Sequence, residues 1–244
     1  MQQHGENREC CTPIFNSFQL YMLPTIHSCP ELMEAIQMLG FLPLLESGIN
    51  GYSAEDMVAP ECRYNSLPDG GWVWPLWRWK GPVIAEMGCL YGKFFGSKAG
   101  FVSKDWWPDF CNWRRASWPM PDPESEPGAV QAAILDTLRE RGGMVSRQLR
   151  TACGMVGRGM RSRFDGNVAR LQMACRVVTE DFVYPRDRNG QEYGWGLALL
   201  TIPERLVGEV NCKRTPEQSY RRMADHLHTI LPHAPEKQLE KLLR

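Results

Sequence analysis

Eight of the nine tryptophans in this 244-residue chain fall between positions 72 and 118. Each such side chain covers on the order of 200 Å² when enclosed, so the window demands a core deep enough to take several indole rings. That demand excludes a disordered chain, a collagen and a coiled coil. The composition agrees: 43% hydrophobic and 23% charged, with 28 basic and 28 acidic side chains, suits one globular domain or two small ones. No apolar run approaches the ~20 residues that cross a bilayer, and the first thirty residues lack the pattern of a secretory leader. A cytoplasmic chain with no membrane partner is expected. The nine cysteines, at 10, 11, 29, 62, 89, 111, 153, 175 and 212, show no C-x-x-C spacing and read as buried reduced thiols. Five histidines, two of them in His226-x-His228, supply no ligand set, so neither a metal nor another cofactor is expected.

The pattern along the chain predicts an α+β fold. Residues 1–27 show no sustained period and read as a loosely ordered leader, followed by an aromatic-rich helical and hairpin subdomain over 28–118. Ser28 with Glu31 makes a capping box, and Leu32, Ile36 and Leu39 recur at helical spacing until Gly40 supplies a stop. Phe41 to Leu45 reads as extended, Ser53 caps a second short helix, and residues 60–71 read as loop. A helix over 74–87 tolerates Pro75 and Pro82, two strands over 89–95 and 99–103 flank Gly96-Ser97-Lys98, and Pro108 opens a helix through Trp113-Arg114-Arg115. Residues 119–127, with four prolines and three acids, are a linker and mark a boundary.

Beyond it the period changes. Val130, Ile134, Leu135 and Leu138 mark one helix, Ser146 begins a second that stops at Gly154, and a third runs from about Asp165 to Cys175. Strands over 177–184 and 193–201 enclose the turn Arg186-Asp187-Arg188-Asn189-Gly190. Three helices and a hairpin read as a winged helix-turn-helix over 128–203, with a helical tail over 204–244 that Thr215-Pro216-Glu217-Gln218 caps in its middle.

Charge is concentrated in this second half. Arginines 139, 141, 147, 150, 158, 161, 163, 170 and 176 face only Glu140 and Asp165, with no lysine among them. Arginine grips phosphates and guanine edges with two parallel bonds, and the third helix of such a motif enters a major groove. Candidate DNA contacts are Arg158, Arg161, Arg163, Asn167, Arg170 and Gln172, with Arg186 and Arg188 on the wing reaching backbone or minor groove. A solvated basic face, or a protein-binding winged helix, accounts for the same pattern. Trp77-Arg78-Trp79-Lys80 and Trp113-Arg114-Arg115 interleave aromatic and basic residues as a stacking surface would, though core anchors with cationic stems laid over them fit as well. No nucleophile, histidine and acid set can be assembled for catalysis, and no phosphate-binding glycine spacing is present. Weak catalytic candidates are Glu46, Glu55 and Asp56, since a carboxylate buried against aromatics can serve as general acid or base.

The segments Phe41-Leu42-Pro43-Leu44, Trp77-x-Trp79-Lys80, Tyr91-Gly92-Lys93-Phe94-Phe95, Gly100-Phe101-Val102-Ser103, Leu171-Gln172, Tyr193-Gly194-Trp195-Gly196 and Glu236-Lys237-Gln238 together resemble the short bacterial AlkZ-related proteins. That group looks like an offshoot of the winged-helix DNA glycosylases typified by AlkZ and YcaQ. The resemblance implies stacked winged-helix elements around a basic concavity, double-stranded DNA as partner and a place in DNA repair. The parent enzymes carry a glutamine, one residue, then glutamine or aspartate. The matching stretch here, Leu39-Gly40-Phe41-Leu42-Pro43-Leu44, holds neither, and Gln37 is followed by Met38 and Leu39. Glycosylase chemistry is therefore absent or carried by other residues, and two readings stand. One is a DNA-binding winged-helix protein of this type, an N-glycosidic hydrolase if active. The other is a non-catalytic module whose tryptophan-rich half binds a protein or ligand. Convergence of the arginines from 139 to 176 on one concave face favours the first, and scatter favours the second.

Overall fold

The computed structural model describes residues 23–66, 72–192 and 194–244. Ile26, fully buried, pairs in parallel with Val58: its N–H donates to the Met57 carbonyl at 2.8 Å, and its carbonyl accepts the Ala59 N–H at 2.9 Å. The leader expected over 1–27 thus gives Ile26 to the core, while residues 1–22 lie outside the described residues.

Helix α1 (Cys29–Leu39) starts where the Ser28 hydroxyl accepts the Glu31 N–H and stops at Gly40, φ 76°. Only half of the expected capping box closes, because the Glu31 carboxylate takes the His27 N–H at 2.8 Å rather than that of Ser28. Strand β1 (Phe41–Pro43) and helix α2 (Ala54–Met57), capped by Ser53, follow the sequence pattern. The stretch expected as loop contains a 3-10 turn (Pro60–Cys62) and strand β2 (Asn65–Ser66), which pairs with β3 (Trp72–Val73); residues 67–71 lie outside the described residues. Two-residue strands are too short to show alternation, which hides them from a sequence reading. Helix α3 (Pro75–Met87), the hairpin of β4 (Leu90–Phe95) and β5 (Lys98–Val102), and α4 (Trp107–Ser117) complete this half.

Helix α5 (Glu126–Arg141) takes the last residues of the expected linker into its first turn, with Ser125 as cap. Strand β6 (Met144–Val145), α6 (Ser146–Ala152), α7 (Met160–Met173), β7 (Val178–Val183) and β8 (Leu197–Thr201) follow. Helix α7 begins at Met160 rather than near Asp165, because its first turn is solvent-facing and carries no apolar stripe for periodicity to register. The tail holds α8 (Glu204–Val207), α9 (Pro216–Ile230), whose capping box from Thr215 and Gln218 closes in full, and α10 (Glu236–Leu243).

Six strands form one antiparallel sheet in the order β1-β5-β4-β7-β8-β6. The two halves meet where Tyr91 on β4 faces Thr179 on β7, so the sheet runs across the proline-rich segment. Two buried clusters lie against it. The larger joins α1, α3, β4, β5 and α4 to Met223 and Leu227 of α9 and to Leu239, Leu242 and Leu243 of α10. The smaller centres on Ile134, Leu138, Leu149, Phe164, Leu171 and Leu200. Apolar burial, roughly 25 cal/mol per Å², thus gives α5, α6 and α7 a small core of their own, while Cys175 and Val178 join the larger one and the tail packs on the aromatic half.

Candidate nucleic-acid interface

Arg147 and Arg150 stand three residues apart on α6, a spacing that puts both side chains on one helix face. The turn from α6 to α7 passes through Gly154 at φ 69° and Gly159 at φ 79°, a left-handed path that brings the first turn of α7, with Arg161, alongside. Lys93 projects from β4, the exposed position in a strand otherwise buried. These four cations line a groove of about 670 Å³ together with Gly196, Leu197 and Ala198 at the start of β8, and among the described residues Asp165 is its one carboxylate. Asp165 lies 3.6 Å from Arg161, leaving the lining with an excess of positive charge. The Arg150 guanidinium also donates to the Met155 carbonyl at 3.2 Å, which fixes its stem. A neighbouring depression brings Arg141 beside Arg147.

Of the residues singled out from sequence, Arg161 lines this groove. Arg158 and Arg170 are exposed on the same α6 to α7 region, and Arg188 is exposed in the β7 to β8 connection. Arg163 pairs with Glu126 at 2.5 Å, and Arg186 with Glu192 at 3.3 Å. Asn167 is held inside the helical layer, accepting from Gln131 at 3.0 Å and donating to the Arg163 carbonyl at 3.0 Å. Gln172, expected as a DNA contact, is instead buried. Only 3% exposed, it accepts the Lys93 N–H and donates to the Thr179 hydroxyl, both at 3.4 Å, so its amide joins α7 to the sheet and faces no partner. Arg139 pairs with Asp136, and the half-buried Arg176 lies in the charged cluster of Arg115 and Glu204. The arginines thus converge in part, through 147, 150 and 161 with 141 adjacent. Arg147, Arg150 and Lys93 are not among the contacts that the charge pattern and motif alone point to. The available signals were the three-residue spacing and a lone cation within the apolar strand Leu90–Phe95.

One cation of each interleaved aromatic and basic motif, Lys80 and Arg114, turns inward, while Arg78 stays exposed and pairs with Glu192 at 3.4 Å. Arg114, 0% exposed, donates to the carbonyls of Phe94, Met173 and Leu243, one each from β4, α7 and α10, and burial lowers its pKa to about 10. Arg115 reaches the Cys175 carbonyl at 3.1 Å and Glu204 at 2.6 Å. Lys80 is also 0% exposed: its ammonium lies 2.9 Å from the Trp77 ring centroid and 3.9 Å from that of Phe182, with no hydrogen-bond partner among the described residues. Burial pushes its pKa down to about 7. Asp109, 1% exposed in the first turn of α4, accepts from Ser219 at 2.9 Å, Arg214 at 3.3 Å and Arg222, which fastens α9. The acids proposed for catalysis sit elsewhere. Glu46 and Asp56 are exposed and Glu55 is half-buried, all in the stretch after β1, the strand at the far edge of the sheet from β6. None of the three lines the groove.

The sequence profile of the family described as AlkZ related matches residues 26–244. The chain belongs to the AlkZ-related family. Comparison with curated proteins and with solved structures finds no match. In this AlkZ-related protein Leu39, Phe41, Leu42 and Leu44, the stretch matched above to the parent glutamine motif, are at most 1% exposed and lie in the larger core. Among the described residues of the AlkZ-related chain the seven cysteines are free thiols, three of them buried, and burial raises the pKa of Cys89 to about 12 and of Cys111 to about 11. Among the described residues no helix is long and apolar enough to cross a membrane, and no three His, Cys, Asp or Glu side chains are grouped to hold a metal ion.

Proposed function

We propose that this chain binds double-stranded DNA through the groove of Lys93, Arg147, Arg150 and Arg161, as a cytoplasmic winged helix-turn-helix protein associated with DNA repair. The convergence of four cations from β4, α6 and α7 on one groove, against one carboxylate among the described residues, carries the reading. The element order α5, β6, α6, α7, β7, β8, with β6 antiparallel to β8, supports the winged-helix assignment over 128–203. In that assignment α7 is the helix presented to the major groove and the β7 to β8 connection is the wing. Guanidinium forks bridge adjacent phosphate oxygens, and each phosphate neutralised releases condensed counterions. Four such contacts give a binding constant that falls with a slope of about −3.6 in log salt.

Membership in the AlkZ-related family supports DNA as the partner. The buried, apolar character of residues 39–44 supports a binding role without the parent catalytic pair. Fluorescence anisotropy on a labelled duplex tests both parts. The wild type is expected to bind tightly at low salt, and the double variant Arg147→Ala with Arg161→Ala to bind about tenfold or more weakly, with a salt slope reduced by about two. Salt-independent or undetectable binding overturns the reading. Release of a free base from an alkylated duplex overturns the non-catalytic part alone.

A further inference from the structure

Trp195, the one tryptophan outside the dense window, is 59% exposed although it is firmly placed. Its carbonyl accepts the Trp77 indole N–H at 2.7 Å, and its ring meets Trp77 edge to face at 5.2 Å and 84°. Trp77 in turn stacks on Trp74 at 5.5 Å and 19°. The following Gly196 has φ 71°, and a β-carbon there would lie 3.0 Å from the Tyr184 ring, so the chain lies flat against that tyrosine. Tyr184 is itself covered by the Arg78 guanidinium at 4.5 Å. Packing on both sides therefore holds a large aromatic ring out in water, against the tendency of such rings to be enclosed. The next two residues after Trp195, Gly196 and Leu197, line the basic groove, so the chain runs from the ring directly into the cationic lining, and Leu197 is 48% exposed.

Resting on the DNA-binding reading, we infer that Trp195 is a stacking platform for an unpaired nucleobase whose strand lies in the groove of Lys93, Arg147, Arg150 and Arg161. Paired bases are already stacked on their neighbours and offer no face to an indole, whereas a bulged or extruded base does. Every base has such a face, so the platform selects for lack of pairing rather than for sequence. The positive lining argues for a polyanionic occupant over an apolar protein face, and nucleic acid supplies charge and ring together.

The full chain is titrated into a labelled duplex and into the same duplex carrying one unpaired 2-aminopurine. The wild type is expected to bind the bulged duplex about tenfold more tightly and to quench the 2-aminopurine emission as the base stacks. Trp195→Ala removes a largely exposed ring and its edge contact with Trp77 but leaves the backbone bond to Trp77, so the variant stays folded and its thermal melt falls by only a few degrees. It is expected to bind both duplexes alike, without quenching, while Trp195→Phe keeps most of the preference. Equal affinity of the wild type for the two duplexes, or a preference that survives in Trp195→Ala, overturns the platform and leaves the groove reading intact. Loss of all DNA binding by the wild type overturns the groove reading and the platform with it. Equal competition by polyglutamate, with Trp195→Ala weakened equally toward both, makes the ring a protein-docking site and also overturns the inference.

Discussion

In the aromatic-rich half Lys80 and Arg114 are sealed inside at 0% exposure, whereas over residues 128–203 Arg147, Arg158, Arg161 and Arg170 stand outside a small core. The difference follows from what each core supplies. The larger one surrounds Arg114 with three carbonyls and Lys80 with two ring faces, which offset part of the desolvation of a charge. The smaller one is built from aliphatic side chains with Met155 and Phe164 and leaves Arg147, Arg158, Arg161 and Arg170 to solvent. Lys80 and Arg114 are thus internal ties in one half, and Arg147, Arg158, Arg161 and Arg170 are surface groups in the other.

Breaking the larger tie has the largest expected effect. Arg114→Met removes a side chain shared by β4, α7 and α10 and leaves three buried carbonyls without that donor, at a cost of about 3–5 kcal/mol read from a urea melt. Stability unchanged by Arg114→Met would show that the inward cation is not a tie.

Lys80→Met sharpens the same point through pH. The folded-state pKa near 7 lies below the unfolded value near 10.5, so the unfolded chain binds more protons between these limits. Wild-type stability therefore gains from this group as pH rises from about 7 to 10.5, and carries its full penalty below 7. The methionine variant is expected to be about 1–4 kcal/mol more stable at pH 7. The difference between the two proteins is expected to shrink as pH rises through that window. A constant difference would mean that Lys80 is charged in both states.

Gln172→Ala separates structure from contact within α7 itself. Loss of the buried bonds to Lys93 N and Thr179 is expected to cost about 1–3 kcal/mol in a thermal or urea melt while the salt slope of DNA binding stays at its wild-type value. A reduced slope at unchanged stability would place Gln172 on the DNA after all.

Much of this was written locally. Ser28, Ser53 and Thr215 mark helix starts because a side-chain oxygen meets a nearby N–H, and Gly40 and Gly142 mark stops because a glycine takes the positive φ there. The excess of arginine over 139–176 is equally legible, since charge needs only to be counted. Which of those arginines form a site was not. Arg161 meets Lys93 in one groove because β4 and β7 became sheet neighbours at Tyr91 and Thr179, a pairing between residues far apart in sequence that no local period encodes.

The sequence by itself determined the helices, the β4 to β5 hairpin, the aromatic core and the location of the positive charge, because caps, periodicity and composition act within a few residues. Only the tertiary structure decided that Arg114 and Lys80 face inward, that Gln172 faces the sheet, and that Trp195 faces water beside Leu197. Direction depends on what packs against a side chain, and those partners arrive from distant parts of the chain.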